Sequence, residues 1–307
     1  MPARILYGEP IADSIKTGLT AEIAALKSRG IVPGLAAVLV GENPASQIYV
    51  RAKIKACEAL GIYSEKIELP PTTGTEELLQ RVNDLNARNE VDGILVQLPL
   101  PPQIDAKAVI AAVNPAKDVD GFHPVNAGNL ATGRPGIVPC TPAGIIQILE
   151  HSQIPIRGAR AVVIGRSETV GKPLAMLLLN RHATITICHS RTPHLSSVTS
   201  EADILVAAIG KPALVRWEFM KPGATVIDVG INRLTTEEEV CKVFHEPLEP
   251  LGRLAAKGSV LVGDVQPEDV RELASAYTPV PGGVGPLTVA MLMSNTVAAA
   301  KARRSHC

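Results

Sequence analysis

The stretch "YVRAK" places a phenol and an ammonium four positions apart, at Tyr49 and Lys53. It lies in the run "NPASQIYVRAKIKACEALG", which is predicted to be a helix, and residues four apart on a helix lie on the same face. A lysine held in this way could take part in acid–base chemistry. A helical lysine more often lies on the solvent side, with its stem over neighbouring residues, so the pair indicates a site only with support from elsewhere.

A second candidate site begins at the glycine-rich loop "GRSETVGKP", which follows the apolar run "AVVIG". Gly165 and Gly171 bracket a turn into a predicted helix, where free backbone N–H groups and the helix dipole favour an anion. The spacing differs from G-x-G-x-x-G, so a tight turn that needs two glycines explains the loop alone equally well.

The end of the next predicted strand supports a dinucleotide site. A dinucleotide-binding fold places an acidic residue there for the ribose diol of NAD. This chain has His189, Ser190 and Arg191 instead. A carboxylate would repel a 2′-phosphate, whereas Ser190 and Arg191, with Arg166 in the facing glycine loop, would bind it. The residues therefore favour NADP over NAD, although arginines that flank a turn can also be simply solvated.

The elements that carry these residues alternate regularly along the first half of the chain. Predicted helices separate short runs rich in Val, Ile and Leu, which indicates a parallel sheet built from βαβ units and an α/β fold. Because such sheets bind ligands beyond the carboxyl ends of their strands, Gln97 at the end of "GILVQLPL" is well placed for a site. A short helix and then a long loop, "NPAKDVDGFHPVNAG", follow this strand.

A Pro- and Gly-marked joint leads to a second α/β series, which we interpret as a separate doubly wound domain. A polar stretch between residues 234 and 257 is predicted to be a surface excursion. A final helix has Pro286 near its first position. The predicted strands of this domain are "ARAVVIG", "TITICHS", "DILVAAIG", "ATVIDVGIN" and "SVLVGDV".

Composition narrows the classes of function. Lys plus Arg and Asp plus Glu number 30 each, and aromatic residues make up only 3% of the 307, so neither a basic field nor a stacking platform for nucleic acid is present. The N-terminus has no secretory signal and no segment is long and apolar enough to span a membrane, so we expect a soluble, cytoplasmic protein with a small-molecule partner. The cysteines are odd in number and widely spaced, which predicts reduced thiols, buried except for one in the tail, without a disulfide or metal site. They are Cys57, Cys140, Cys188, Cys241 and the tail residue Cys307.

Seven motifs in this order closely resemble the bifunctional methylenetetrahydrofolate dehydrogenase/cyclohydrolase family. They are "YVRAK", "VQLPLP", "PAKDVDGF", "PCTPAG", "GRSETVGKP", "VGDV" and "PVPGGVGPLTVAML". The resemblance covers nearly the whole chain, and its most specific blocks are "DGILVQLPLP" and "TPVPGGVGPLTVAML".

The resemblance implies NADP-linked oxidation of 5,10-methylene-tetrahydrofolate to the 5,10-methenyl cation, followed by hydrolysis to 10-formyl-tetrahydrofolate in the same site. It also implies a homodimer of two-domain chains. The N-terminal folate-binding, catalytic domain would comprise residues 1–143 and be completed by the C-terminal helix, residues 286–307. A Rossmann-like NADP-binding domain would comprise residues 144–285.

The catalytic roles follow from the same resemblance. Lys53 matches the family's catalytic lysine, Tyr49 its helical neighbour and Gln97 a third catalytic residue, which we expect to hydrogen-bond Lys53 and fix its position. Opening the methenyl ring needs proton transfers, and an ordinary lysine, with a pKa of about 10.4, would need desolvation or a nearby cation to act as the base. The cationic substrate could supply that effect, while Tyr49 would shape the folate pocket.

Further residues are assigned to substrate and cofactor. Asp120 matches the residue that holds the pterin, whose two N–H donors suit one carboxylate, while Asp118 could order the loop. Pro281, Gly282 and Gly283 would let the backbone approach the substrate closely in a stiff loop. The predicted cofactor-binding residues are Gly165, Arg166, Ser167, Gly171, Ser190, Arg191 and Ile231.

Two alternatives remain open at this point. One is a dehydrogenase without efficient hydrolysis, and the other is a catalytically silent NADP- or folate-binding protein. Nothing in the sequence demands the first, since Lys53 and Gln97 are both present, and the presence of Tyr49, Lys53, Gln97 and Asp120 argues against the second.

Overall fold

A computed structural model describes residues 3–304 of the chain. The chain divides into two compact units. Unit 1 comprises Met1–Ile11 and Thr141–Leu287, and unit 2 comprises Ala12–Cys140 and Thr288–Cys307. Each unit is built around a parallel sheet, so the predicted two-domain α/β fold is confirmed.

Unit 2 contains a three-stranded sheet in the order β3-β2-β4, in which both pairs are parallel. Its strands are β2 (Gly34–Val40), β3 (Tyr63–Leu69) and β4 (Gly93–Val96). The surrounding helices are α1 (Glu9–Lys27), α2 (Pro44–Leu60), α3 (Thr75–Ala87), α4 (Ala106–Ala112), α5 (Pro124–Ala131) and α12 (Gly285–Arg304), of which α1 and α12 each begin in unit 1.

The central strand β2 is buried on both faces, which explains its unbroken apolar sequence. Leu35 and Leu39 belong to a core cluster that also contains residues of α1, α2 and α12. Ala36 and Val38 belong to a second cluster with residues of α3 and α4. Alternate side chains of a strand point to opposite faces of the sheet, so one apolar strand supplies both cores of this unit.

Unit 1 contains a six-stranded, fully parallel sheet in the order β1-β11-β8-β7-β5-β6. The chain fills the positions on one side of β5 with β6 and then crosses to the other side with β7, which makes the carboxyl edge between β5 and β7 a topological switch point. The strands of the sheet are β1 (Arg4–Ile5), β5 (Arg160–Ile164), β6 (Thr184–Cys188), β7 (Ile204–Ala207), β8 (Thr225–Asp228) and β11 (Ala276–Tyr277). The other elements are α6 (Cys140–His151), α7 (Gly171–Leu179), α8 (Leu195–Thr199), a 3₁₀ turn (Trp217–Phe219), β9 (Asn232–Leu234), α9 (Glu237–Val243), α10 (Leu248–Lys257), β10 (Val260–Val262) and α11 (Pro267–Leu273).

The stretch between residues 234 and 257 is more ordered than predicted. It contains α9, which begins with a capping box formed by Thr236 and Glu239, and α10. Val240 and Val243 are buried in a small cluster with residues of β9 and β10. Local polarity suggested an exposed loop because most of its side chains do face solvent.

Two further predictions were wrong in detail. The strand predicted at "SVLVGDV" does not join the parallel sheet, because β10 pairs with β9 in a separate antiparallel ribbon. The predicted loop 114–128 ends in a helix, α5, which starts at Pro124 and is capped by the ring of His123. The first error arises because the partner of a strand cannot be read from its own pattern, and the second because α5 has only 8 residues, too few for a clear helical period.

The observed units differ from the predicted domains chiefly at residues 3–11, which belong to unit 1, as do residues 141–143 and 286–287. Strand β1 pairs with β11, Arg4 lying opposite Ala276 and Ile5 opposite Tyr277. A two-residue strand carries no detectable periodicity, so the sequence did not indicate it.

Three of the cysteines are buried free thiols, as predicted: Cys57, Cys140 and Cys188. Burial raises the pKa of the Cys57 thiol to about 12, which leaves it protonated and unreactive. Cys241 is exposed, contrary to the prediction, and Cys307 lies outside the described residues. Within residues 3–304, no helix combines the length and apolar composition needed to cross a bilayer.

Candidate active site

The helix that carries Tyr49 and Lys53 is fixed at both ends. Asn43 caps its first turn by accepting a hydrogen bond from the backbone N–H of Ser46, and Gly61 ends it in the left-handed conformation with φ of 68°. Lys53 shares the buried stripe of this helix with apolar residues and is only 7% exposed. The solvent-facing interpretation of this lysine is therefore wrong.

The ammonium of Lys53 donates a hydrogen bond of 3.0 Å to Oε1 of Gln97. Gln97 follows the last residue of β4, its backbone N–H donates to Val38 O in the central strand, and its side-chain amide donates to Leu98 O. These bonds fix the orientation of the glutamine, so its oxygen faces the lysine. The predicted hydrogen bond between the two side chains is present.

Tyr49 lies one turn before Lys53 and is 42% exposed. An exposed aromatic ring beside a buried ammonium offers a surface on which a planar ligand could stack. Its proposed contact with the folate stays a prediction.

The loop that carries Asp120 is attached to the sheet at its start. Asp118 pairs with Ile94 of β4 as an isolated parallel bridge, and Ile94 N–H donates to Lys117 O at 2.7 Å. Lys117 is 1% exposed, and its ammonium donates to three carbonyls at and just beyond the end of α3, those of Leu85, Asn86 and Arg88. Burial lowers the pKa of Lys117 to about 8.

Asp118 orders this loop. Its carboxylate accepts backbone hydrogen bonds from Gly121, Phe122 and His123 and a fourth from the side chain of Asn126. Four donors saturate the carboxylate, so Asp118 acts within the protein, as the sequence suggested. None of these donors reaches Asp120, whose oxygens stay available to a ligand.

Asp120 is half-buried, and burial raises the pKa of its carboxyl to about 6. The positive charge of Lys53 opposes this rise, and the nearby Asp118 adds to it. Unit 2 thus brings Lys53, Gln97 and Asp120 into one electrostatically coupled group. A carboxylate with an elevated pKa beside a buried ammonium is typical of a functional site.

Asn295 is a structural contributor that sequence reasoning missed. From α12 its amide donates hydrogen bonds of 2.9 Å to Val119 O and Val138 O, and it contacts Cys140 Sγ at 3.6 Å. Val119 precedes Asp120, so the C-terminal helix holds the loop in addition to its attachment to β4. The available signal was a lone amide in an apolar helical run, which by itself does not indicate a partner.

The glycine loop of unit 1 is tightly packed at the switch point. Gly165 has φ of 132°, and a Cβ there would lie 2.2 Å from Ala208 O; a Cβ on Gly171 would lie 2.1 Å from Gly165 O. The backbone atoms around these two positions lie so close that only glycine fits, whether or not a ligand is bound. The hydroxyl of Ser167 accepts hydrogen bonds from Val170 N–H and Gly171 N–H, which closes the turn onto α7.

The loop after β6 lies beside this glycine loop, because β5 and β6 are paired in register from Arg160 to Ile164. Its turn is closed by hydrogen bonds from His189 N–H to Thr192 Oγ1 and from Arg191 N–H to His189 Nδ1. The described positions of these two loops include no carboxylate other than that of Glu168. Arg166, Ser190 and Arg191 are exposed there.

Other predicted ligand-binding residues also lie in unit 1. Ile231 is 50% exposed and follows β8 on the same carboxyl edge of the sheet. Gly282 has φ of 104°, and Gly283 N–H donates to Pro279 O in a closed turn that includes Pro281. The contact of this Pro281–Gly283 turn with the substrate stays a prediction.

Comparison with known proteins places the chain in a family. Residues 6–120 match the model of the tetrahydrofolate dehydrogenase/cyclohydrolase catalytic domain, and residues 139–304 match that of its NAD(P)-binding domain. The chain belongs to this family. The family resemblance found in the motifs is therefore confirmed.

Full-length relatives agree with this assignment. A bifunctional protein FolD of Koribacter versatilis is 60% identical over 306 residues, covering 100% of this chain and 99% of that protein. The crystal structure of a bifunctional FolD methylenetetrahydrofolate dehydrogenase/cyclohydrolase from Campylobacter jejuni has a TM-score of 0.89 at 43% identity, over 98% of this chain and 99% of that one. A Trypanosoma brucei enzyme of the family, complexed with NADP and an inhibitor, has a TM-score of 0.88 at 40% identity, over 98% of both chains.

Proposed function

We propose that this protein oxidises 5,10-methylene-tetrahydrofolate with NADP and hydrolyses the resulting methenyl cation to 10-formyl-tetrahydrofolate, a step pair of one-carbon metabolism. The observation that carries the proposal is the buried Lys53 ammonium held by Gln97 beside Asp120, in a chain that matches both domains of the family over nearly its full length. A silent binding protein would not need a buried, oriented lysine.

Hydrolysis is the step that needs the chain's own proton chemistry. Water attacks the methenyl carbon, one proton leaves that water, and another reaches the ring nitrogen as its bond to the carbon breaks. Lys53 is the group positioned to move these protons, since Gln97 Oε1 fixes its ammonium and the buried stripe of α2 excludes bulk water.

Oxidation depends on orientation rather than on a protein base. NADP, when bound, accepts the hydride on its nicotinamide ring. The residues of this chain hold the two ligands: Asp120 accepts hydrogen bonds from the pterin, and Tyr49 packs against the ring system. The Pro281–Gly283 turn provides close backbone approach to the substrate.

The residues of unit 1 fit NADP better than NAD. The glycine loop has no room for a Cβ at Gly165, and the loop after β6 exposes Ser190 and Arg191 where an NAD enzyme would have a carboxylate. Arg166 lies in the adjacent loop, so two guanidinium groups and a hydroxyl are available for a 2′-phosphate. Gly171, Ser167 and Ile231 complete the proposed cofactor-binding set.

We assign catalysis and pterin recognition to the residues of unit 2, and NADP binding to the glycine loop and neighbouring loops of unit 1. We also propose a cytoplasmic homodimer that binds neither nucleic acid nor membranes. Light scattering during gel filtration tests the oligomeric state, and the expected mass is twice the 32.3 kDa of the chain.

One spectroscopic assay tests both activities. The purified protein is mixed with 5,10-methylene-tetrahydrofolate and NADP in a buffer in which methenyl-tetrahydrofolate hydrolyses slowly, and NADPH and the methenyl compound are followed together. NADPH that rises while methenyl stays low supports both steps. Methenyl that accumulates in step with NADPH would leave a dehydrogenase alone, and the absence of both signals would refute the proposal.

A further inference from the structure

The carboxyl edge of the unit 1 sheet contains a buried carboxylate that none of the predicted roles uses. Asp264 follows β10 and is 0% exposed. Its Oδ2 accepts hydrogen bonds from the backbone N–H groups of Ile209 at 2.6 Å and Gly210 at 2.9 Å. Its Oδ1 accepts from Lys211 N–H and from the side-chain amide of Asn232, both at 2.9 Å.

These donors belong to the exit loops of two neighbouring strands. Residues 209–211 follow β7, and Asn232 is the first residue of β9, where the exit loop of β8 ends next to the exposed Ile231. Three consecutive backbone N–H groups form a concave anion site, and here the protein's own carboxylate fills it. Asp264 therefore ties the two loops together at a fixed distance.

The surrounding residues make space for this carboxylate and hold it. A Cβ on Gly230 would lie 2.3 Å from Asp264 Oδ1, so only glycine fits there. Asp228, at the end of β8, accepts hydrogen bonds from the backbone N–H groups of Asp264 and Val265 at 2.9 and 3.0 Å. The carboxylate of Asp228 thus fixes the backbone from which the Asp264 side chain extends.

The two loops border one half of the proposed dinucleotide site. A dinucleotide lies across the switch point, with one nucleotide on each side. The 2′-phosphate residues Ser190 and Arg191 follow β6, so the adenosine half belongs to the β5–β6 side and the nicotinamide half to the β7–β8 side. Ala208 O lies against Gly165, which brings the start of the β7 exit loop to the glycine loop.

We propose that Asp264 is a positioning residue for the nicotinamide half of NADP. By tying residues 209–211 to Asn232, it sets the width of the cleft that receives the nicotinamide nucleotide and directs the cofactor phosphates to the glycine loop. It does not contact the reacting atoms. This inference rests on the proposed function of the chain as an NADP-dependent dehydrogenase.

The test uses Asp264→Asn in the full-length protein. Each carboxylate oxygen accepts two hydrogen bonds, so the amide nitrogen of asparagine faces two donors in either orientation. The Kd of NADP, measured by calorimetry, should rise about tenfold or more, because two charge-assisted hydrogen bonds are lost. Dehydrogenase activity should fall with it.

Cyclohydrolase activity provides an internal control, since it uses no NADP and its proposed catalytic residues, Tyr49, Lys53 and Gln97, lie in unit 2. Hydrolysis of methenyl-tetrahydrofolate should stay within about twofold of the wild-type rate, as for a substitution that leaves that site intact. Asp203→Asn is the matched control: this carboxylate ties Arg160 N–H and Lys221 at the amino edge of the same sheet. The Asp203→Asn variant should bind NADP with the affinity of the wild type.

A folded Asp264→Asn variant with wild-type NADP affinity would overturn the inference alone, whereas a wild-type protein that binds no NADP would overturn the proposed function with it. If Asp264→Asn does not fold, the Asn232→Ala variant tests the inference instead. This substitution removes the amide that donates to Asp264 Oδ1 and to Gly263 O, and leaves the bonds of Asp264 to residues 209–211 in place. The Kd of NADP should therefore rise about threefold, and an unchanged Kd would overturn the inference.

Discussion

Lys53 and Gln97 are 44 positions apart in the chain, yet a hydrogen bond of 3.0 Å joins the lysine ammonium to the glutamine oxygen. The lysine comes from the buried face of α2, and the glutamine comes from the end of β4. Two rigid elements therefore hold the pair, and this rigidity suits a group that must meet a substrate at a fixed place.

Substitution of Lys53 by methionine tests the proton-transfer role. The Lys53→Met side chain fills similar space but carries no proton, so cyclohydrolase kcat should fall by about a hundredfold or more. NADP affinity should be retained, because the cofactor residues belong to unit 1. Steady-state hydrolysis of methenyl-tetrahydrofolate is the measurement, with calorimetry for NADP.

Lys55→Met is the matched control, since Lys55 is exposed two positions further along the same helix. It should hydrolyse the substrate at the wild-type rate. Near wild-type hydrolysis by Lys53→Met would show that another group moves the protons.

Substitution of Asp120 by asparagine tests pterin recognition. The amide oxygen of asparagine can accept a hydrogen bond from one pterin N–H, but its NH2 group lies against the second N–H and cannot accept. The KM for the folate should therefore rise about tenfold in both reactions. The exposed carboxylate Asp84 offers a control, and Asp84→Asn should leave both KM values unchanged. Equal folate KM values for Asp120→Asn and the wild type would remove Asp120 from the site.

The pH dependence of folate binding tests the same carboxyl. Burial raises the pKa of Asp120 from 3.8 to about 6, so the carboxylate is lost as the pH falls through about 6. Affinity for a folate analogue should decrease over that range in the wild type and stay flat in Asp120→Asn. The effect on stability has the opposite sign: the raised pKa favours the folded state below 3.8, and this contribution is lost as the pH rises through about 6.

The double substitution Arg166→Ala with Ser190→Ala tests the preference for NADP. Loss of one guanidinium and one hydroxyl should lower the affinity for NADP about tenfold or more while affinity for NAD changes little. Calorimetric Kd values for both nucleotides give the ratio. Arg160→Ala is the control: it removes an exposed arginine at the amino edge of the same sheet and should preserve the ratio of the two Kd values. An unchanged ratio in the double variant would refute the assignment of these residues to the 2′-phosphate.

Substitution of Asp92 by alanine tests the attachment of the C-terminal helix. Asp92 is fully buried and pairs with Arg303 and Arg304 at the end of α12, while it also accepts a hydrogen bond from Gly34 N–H. Removing it leaves two partly buried arginines unpaired, which should lower the free energy of unfolding by about 3 kcal/mol. Urea denaturation measures this change.

Asp13→Ala is the control, because Asp13 forms an exposed ion pair with Lys16 within one helix turn. Such pairs contribute less than about 1 kcal/mol. Equal unfolding free energies for the two variants would show that the Asp92 cluster does not anchor the helix.

The sequence by itself determined the parts of the protein that depend on local pattern. The alternation of apolar runs and helix-period segments predicted the parallel sheets, and the position of Gln97 at a strand end was correct because strand length follows from the run. The spacing of Tyr49 and Lys53 placed them on one face of α2, and the two glycines of the β5–α7 turn were recognised from their position between strand and helix. In each case the sequence signal is contained within a few neighbouring residues.

Only the tertiary structure decided which of those residues meet. It buried Lys53, supplied the geometry of its expected hydrogen bond to Gln97, and placed Asn295 and Asp264 against loops far away in the chain. It also took β10 out of the parallel sheet. The physical reason is that the free energy of such a contact depends on the burial and hydrogen bonds of both partners, and a local pattern describes only one of them.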